Sequence, residues 1–194
     1  MNNDEQNLIL ASASEGRLSL LKSIGINPDK VIPADIDETP LKNENPKAYV
    51  LRLAEEKAQF IFNKNNQSFV IGGDCIALLG RKIIGKANSE EEAKKIIKSF
   101  SGRRHQIISA VSVISPNNRQ ASRVVTTRVK FSYISDEEIN DYIATGEWKG
   151  KSGCFGIQGR GGGFIESING SYSNVVGLPL VETKRLLKGL GYKY

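Results

Sequence analysis

Histidine and cysteine are scarce in this 194-residue chain, which has one His, His105, and two Cys, Cys75 and Cys154. That set falls short of the four ligands of a structural zinc site. Two thiols in apolar or glycine-rich settings do not read as a disulfide framework. Aromatic residues make up only 7% of the chain, too few for a stripe of base-stacking platforms, which argues against a single-stranded nucleic-acid binder. No apolar run is long enough to span a bilayer, and the charged, Asn-rich first residues do not read as a secretory signal. The expected setting is the cytoplasm, away from membranes.

What is present describes a globular chain. Hydrophobic residues are 39% and charged residues 25% of the sequence, ordinary values for a packed domain. The length suits a single domain, with room for two lobes around one sheet. The net charge of +6 favours a polyanionic partner, either a nucleic acid or a nucleoside triphosphate. The basic residues are spread along the chain with no long cluster, which again weighs against nucleic-acid binding.

The stretch Phe69-Val70-Ile71-Gly72-Gly73-Asp74-Cys75 organises the remainder. Its apolar start reads as a buried strand, which the two glycines end. Asp74 then stands at a strand end, the place where open α/β sheets bind ligands. Gly-Gly-Asp is equally ordinary turn chemistry.

Upstream, Leu8–Ala11 reads as a strand that opens through Ser12-Ala13-Ser14 into a helix, with Ser14 as its N-cap and Leu18, Leu20, Leu21 and Ile24 as its apolar face. A helix start after a strand favours anions. Arg17 in that first turn has the wrong sign for the helix dipole, so it is either a solvated side chain or a phosphate ligand. A short strand is expected over Lys30–Ala34, followed by the acidic loop Asp35-Ile36-Asp37-Glu38. Such loops are commonly just solvated; the alternative is a magnesium or manganese site completed by substrate phosphates. Asn45-Pro46 starts a helix whose buried stripe, Val50, Ala54, Lys57 and Ile61, includes a lysine. Lys57 must snorkel outward or meet a buried anion.

Downstream, a hairpin is expected over Ala77–Leu79 and Lys82–Ile84, then helices behind the capping boxes Ser89–Glu92 and Ser135–Glu138. Gln106–Ile114 and Gln120–Tyr133 form the strongest strand pair, with Val125, Thr127, Val129, Phe131 and Tyr133 alternating onto one face. Gly150–Gly177 is rich in glycine. Gln158 lies there between glycines, and its amide can read the edge of a base. Gly161-Gly162-Gly163 reads as a flexible turn. Phe164–Ile168 suggests a short strand, and a last helix carries Leu186, Leu187 and Leu190.

In this order the pieces resemble the Maf family of nucleoside triphosphate pyrophosphatases from about Leu8 to Gly191. The matching stretches are Leu-Ala-Ser-Ala-Ser at 10–14, Asp37-Glu38, Arg52-Leu53-Ala54 with Glu56-Lys57-Ala58, Gly73-Asp74, Gly85-Lys86, Ser101-Gly102-Arg103-Arg104-His105, Gly156-Ile157-Gln158-Gly159, and Gly170-Ser171-Tyr172 with Val176–Leu180. The resemblance implies an α/β fold with an elongated mixed sheet, flanking helices and two lobes around a cleft, as in inosine triphosphatase-like folds, in a homodimer. It implies hydrolysis of a nucleoside triphosphate to the monophosphate and pyrophosphate with a divalent metal, Mg or Mn. Residue by residue, it makes Asp74 the proton acceptor, with Lys57 and Lys86 as catalytic lysines. Glu38 and Asp74 become metal ligands, and Ser12, Ser14, Arg17, Cys75 and Gln158 contact substrate. Gln158 resembles the branch acting on dTTP, UTP and modified pyrimidine nucleotides.

Four departures stand out. Ser14-Glu15-Gly16-Arg17 replaces the family's Ser-Pro-Arg-Arg, and Asp74-Cys75 replaces Asp-Thr. Lys151-Ser152-Gly153 replaces Lys-Ala-Gly, and Phe155 stands for a tyrosine. The first two border the family's specificity positions. A second reading, also tied to the family, is a regulator of cell-division arrest that works by binding a partner.

Overall fold

A computed structural model describes residues 6–194. The loose polar start expected for the first residues falls largely on positions 1–5, outside the described residues. Among the described residues, seven strands form one mixed sheet, in the order β2 (Lys30–Val31), β1 (Leu8–Ala11), β3 (Phe69–Leu79), β5 (Arg104–Ile114), β6 (Gln120–Phe131), β7 (Ile165–Asn169), with β4 (Lys82–Ile84) paired to β3. The chain divides into two compact units. The first comprises residues up to Asp74, Ser109–Val125 and Gly177–Tyr194; the second comprises Cys75–Ile108 and Thr126–Val176.

In the first unit, β1 (Leu8–Ala11) is fully buried and pairs in parallel with both β2 (Lys30–Val31) and the start of β3 (Phe69–Leu79). Burial on both faces suits the unbroken apolar run Leu-Ile-Leu-Ala. The second strand is shorter than expected, two exposed residues in place of five, because only Ile9 and Leu10 offer it a register. Helix α1 (Glu15–Ser23) begins where Ser14 accepts a hydrogen bond from the Arg17 amide. Helix α2 (Pro46–Phe62) starts at the Asn45 cap with proline in its first turn. Its buried face, Val50, Leu53, Ala54, Lys57, Ala58, Ile61 and Phe62, follows the helical period. Ala58, Ile61 and Phe62 pack with Ile9, Ala11, Val70 and Ile114.

Strand β3 corrects the sequence reading. The glycines do not end it; it runs through Gly72, Gly73, Asp74 and Cys75 to Leu79. Glycine is needed at 72 for approach rather than for a turn. A Cβ built there would lie 2.2 Å from the Ala54 carbonyl oxygen and 2.7 Å from the Ala58 nitrogen, so α2 lies directly on the strand backbone.

In the second unit, the rest of β3 turns at Gly80 into β4 (Lys82–Ile84), with Ala77 opposite Ile84. Helix α3 (Glu90–Phe100) is capped by Ser89, but the reciprocal half of the expected box is displaced, since the Glu92 carboxylate accepts from the Asn88 amide instead. Strands β5 (Arg104–Ile114) and β6 (Gln120–Phe131) follow, with residues 104–108 and 126–131 in this unit and their remaining residues in the first. Thr127, Val129 and Phe131 are buried as the alternation predicts. Tyr133 departs from it; it lies past the strand end and is 89% exposed. Helix α4 (Asp136–Ala144) carries the complete Ser135–Glu138 capping box, and β7 (Ile165–Asn169) pairs antiparallel with β6.

The glycine-rich stretch is packed and is not an open turn. Arg160–Phe164 is a 3-10 helix, and Cβ atoms at Gly161 and Gly162 would meet the backbone of Gly156 and Ile157 inside 3 Å. This unit has its own core, built from Ile97, Phe100, Val129, Phe131, Tyr142, Trp148, Phe155 and their neighbours. Helices α5 (Tyr172–Val176) and α6 (Leu180–Gly189) complete the chain, α6 burying Leu186 and Leu187. Among the described residues, no helix is long and apolar enough to cross a membrane.

Candidate active site

Three side chains from three elements meet in the first unit. The α2 period directs Lys57 inward, against the sheet, where its residue is 8% exposed. It does not snorkel. The Lys57 ammonium donates to Asp74 Oδ1 at 2.7 Å and lies 2.6 Å from Glu38 Oε1. Asp74, on β3, is itself 8% exposed. The Glu38 side chain, on the irregular loop before α2, is 47% exposed. A buried lysine between two carboxylates compensates charge that burial would otherwise make costly.

A second group stands beside it. Arg17 Nη1 donates to the Ser12 hydroxyl at 2.8 Å, and Arg17 Nε donates to the Gly177 carbonyl at 2.9 Å. The Ser12 hydroxyl also accepts from the Ser14 amide, and the Ser14 hydroxyl caps the Arg17 amide. A Cβ on Gly73 would stand 3.5 Å from Arg17 Nε, so the guanidinium runs alongside the residue preceding Asp74. The arrangement explains a basic residue in a helix's first turn, because the side chain folds back alongside β3 at Gly73.

The loop carrying Glu38 is tied to α2 by residues whose role the sequence left open. The Tyr49 hydroxyl donates to the Glu38 carbonyl at 2.7 Å. Arg52 donates to the Thr39 carbonyl at 3.1 Å, to both oxygens of Glu44 at 2.7 and 2.9 Å, and to Glu56 at 3.1 Å. Glu44 in turn accepts from the Leu41 amide. The Arg52 hydrogen bonds hold the Glu44 carboxyl down at about 2. Burial, then the charges of Asp74 and Glu38, raise the Tyr49 phenol above its usual value. The signal for these residues is their spacing: positions 49, 52 and 56 recur at helical period on the face of α2 next to the buried stripe.

The other sequence-predicted residues belong to the second unit. Cys75 is half-buried, and its carbonyl accepts from the Ser152 hydroxyl at 3.1 Å. Lys86 is exposed just after β4, and the neighbouring Gly85 carbonyl accepts from the Gly153 amide at 3.0 Å. Gln158 is exposed on the glycine-rich stretch, which is braced by Glu147 accepting from the Arg160 amide and by the Tyr142 hydroxyl accepting from the Gly156 amide. Neither cysteine is in a disulfide, and burial pushes the Cys154 thiol up.

A divalent cation suits the donor set of the first unit. Glu38 and Asp74 supply hard carboxylate oxygens of the kind that Mg²⁺ and Mn²⁺ take, and here both meet the Lys57 ammonium. Among the described residues, no group of three or more His, Cys, Asp or Glu could hold a metal ion by itself. A cation there would complete its shell with water and phosphate oxygens, the usual pattern for magnesium.

A buried carboxylate on a strand, paired with a helix lysine and flanked by a serine–arginine helix start, defines an α/β protein with a polar, charge-paired site. A family model described as Maf-like protein matches residues 7–190. A dTTP/UTP pyrophosphatase of Caulobacter vibrioides is 48% identical over 186 residues, covering 96% of both chains. One from Hyphomonas neptunium is 50% identical with the same coverage. A nucleoside triphosphate pyrophosphatase of Ehrlichia chaffeensis is 48% identical over 181 residues, covering 93% of this chain and 94% of its own. The chain belongs to the Maf-like family.

Proposed function

We propose that this chain is a nucleoside triphosphate pyrophosphatase, releasing pyrophosphate and leaving the nucleoside monophosphate, with dTTP, UTP or modified pyrimidine nucleotides as its substrate class. The reading rests on the names its relatives carry and on one observation, the meeting of Glu38 and Asp74 on the Lys57 ammonium. The regulatory reading draws no support from those names.

The chemistry follows from charge. Water attacks the α-phosphorus, the bond to the bridging oxygen breaks, and pyrophosphate leaves in line. Lys57 occupies Asp74 Oδ1, so the other carboxylate oxygen, Oδ2, orients the water and takes its proton. Lys57 steadies that carboxylate and, with Lys86, neutralises phosphate charge. Arg17 presents a planar fork of donors, with the Ser12 and Ser14 hydroxyls holding the helix start at which phosphates gather. Cys75 stands next to the base and contacts substrate in place of a hydroxyl. Gln158 reads the base edge through its amide. Glu38 and Asp74 hold a divalent ion, Mg or Mn, which when bound compensates charge on the phosphate oxygens. In line with the resemblance, the protein works in the cytoplasm as a homodimer, which light scattering after size exclusion will read directly.

The test is Asp74→Asn. Turnover should fall by about 10²–10⁴-fold, the worth of a general base, while dTTP binding measured by calorimetry changes little. Pyrophosphate release at the wild-type rate by this variant rules out Asp74 as the base. A panel of ordinary and modified triphosphates assayed with Mg²⁺ and with Mn²⁺ fixes substrate and metal.

A further inference from the structure

Glu38 sits on an exposed, irregular segment. Residues 37–43 are all exposed, and the stretch between Ile32 and Leu41 carries no regular secondary structure. A carboxylate on such a backbone would sample many positions, and ordering each residue costs about 1–2 kcal/mol. Yet Glu38 Oε1 stands 2.6 Å from Lys57 Nζ. Two consecutive carbonyls, those of Glu38 and Thr39, are bound by side chains one helical turn apart on α2, Tyr49 and Arg52. Arg52 also grips Glu44 with two parallel bonds, and Glu44 returns one to the Leu41 amide. One guanidinium thus secures the loop at three places. Lys57 lies on the same helix, five residues on, so the ties fix Glu38 in the frame of its own partner.

We propose that Arg52, assisted by Tyr49 and Glu44, is a positioning residue that holds the Glu38 carboxylate at the cation centre formed with Asp74. It touches neither substrate nor metal. Its role rests on the reading of Glu38 as a ligand for the metal. Arginine is required because only a planar fork can bind both Glu44 oxygens and still reach the Thr39 carbonyl; the lysine ammonium has no second parallel donor.

The test compares wild type with Arg52→Met, Arg52→Lys and Tyr49→Phe. Mn²⁺ binding without nucleotide is read by the paramagnetic resonance of the free ion. Amide exchange at Thr39 and Leu41, and the Lys57 ammonium resonance, are followed by NMR. Arg52→Met should weaken Mn²⁺ binding by about 10–100-fold, the usual cost of losing an outer partner of a metal ligand. It should speed exchange at Thr39 and Leu41 and shift the Lys57 ammonium signal, while Leu53, Ala54 and Ile61 in α2 keep their protection. In turnover the Mn²⁺ requirement should rise with it, and KM for dTTP should move less than about threefold. Arg52→Lys should recover stability but not Mn²⁺ affinity. Tyr49→Phe, which deletes one hydroxyl, should shift the same signals in the same direction by less.

Unchanged Mn²⁺ affinity and an unchanged Lys57 signal in Arg52→Met overturn the proposal, as does a loss that appears only together with unprotected α2 amides. Should Arg52→Met fail to fold, Tyr49→Phe decides by the same signals. If wild type releases no pyrophosphate, the pyrophosphatase reading fails, and the exchange and ammonium signals still decide what Arg52 does.

Discussion

Burial alone holds His105 neutral. The residue is 2% exposed and stacks on Phe100 at 4.2 Å between ring centres, with Phe131 and Phe155 edge-on. Neither ring nitrogen has a hydrogen-bond partner. Desolvation lowers its pKa from 6.5 to about 4. The unfolded chain therefore takes up a proton before the folded one does as pH falls. Stability from this residue is whole above pH 6.5, declines through the window from 6.5 to about 4, and is lost below it. The amount is about 3 kcal/mol at most. Denaturant midpoints measured from pH 7.5 to 4.5 should drop, and His105→Phe should flatten the slope; an equal slope in that variant removes His105 as the cause. Lys57 is buried too, but unlike His105 it has partners, two carboxylates within 2.7 Å of its ammonium.

Helix α2 and strand β3 show what was legible in the chain and what was not. The period that put Lys57 among Val50, Ala54 and Ile61 was plain in the sequence, and so was the Asn45-Pro46 start. Gly72-Gly73 was misread as the strand's end, because glycine looks the same whether a turn or a close neighbour requires it. The neighbour here is α2, whose Ala54 oxygen would stand 2.2 Å from a Cβ on Gly72. Gly72→Ala should therefore force the helix off the strand, at a cost of about 1–3 kcal/mol or more from overpacking, and displace Lys57 from Asp74. A thermal melt matching wild type would contradict that packing. Local capping chemistry was readable at Ser135, where both halves of the box form, and only half right at Ser89, where Asn88 claims Glu92. The ties from Tyr49 and Arg52 were invisible because they run from a helix to loop carbonyls, and a carbonyl has no letter of its own. Tyr133 broke the alternation because the strand ends at Phe131, before its register reaches it.

Across the whole molecule, on the proposed reading a net charge of +6 would draw a triphosphate from a distance. Such attraction is screened over about 10 Å at 0.1 M salt. Raising salt from about 0.05 to 0.5 M should increase KM for the nucleotide several-fold and leave kcat nearly unchanged. A KM indifferent to salt would assign recognition to short-range contacts alone. The order of motifs along the chain disclosed the family and the mixed sheet, whereas the boundaries of the two units and the residues of each core needed coordinates. The two carboxylates that share Lys57 are mounted differently. Asp74 is set in the middle of an eleven-residue strand, while Glu38 rides on exposed chain. A vice can be built on that plan, with one jaw cast into the frame and the other bolted to it, so that the bolts, Tyr49 and Arg52, can be changed without disturbing the casting.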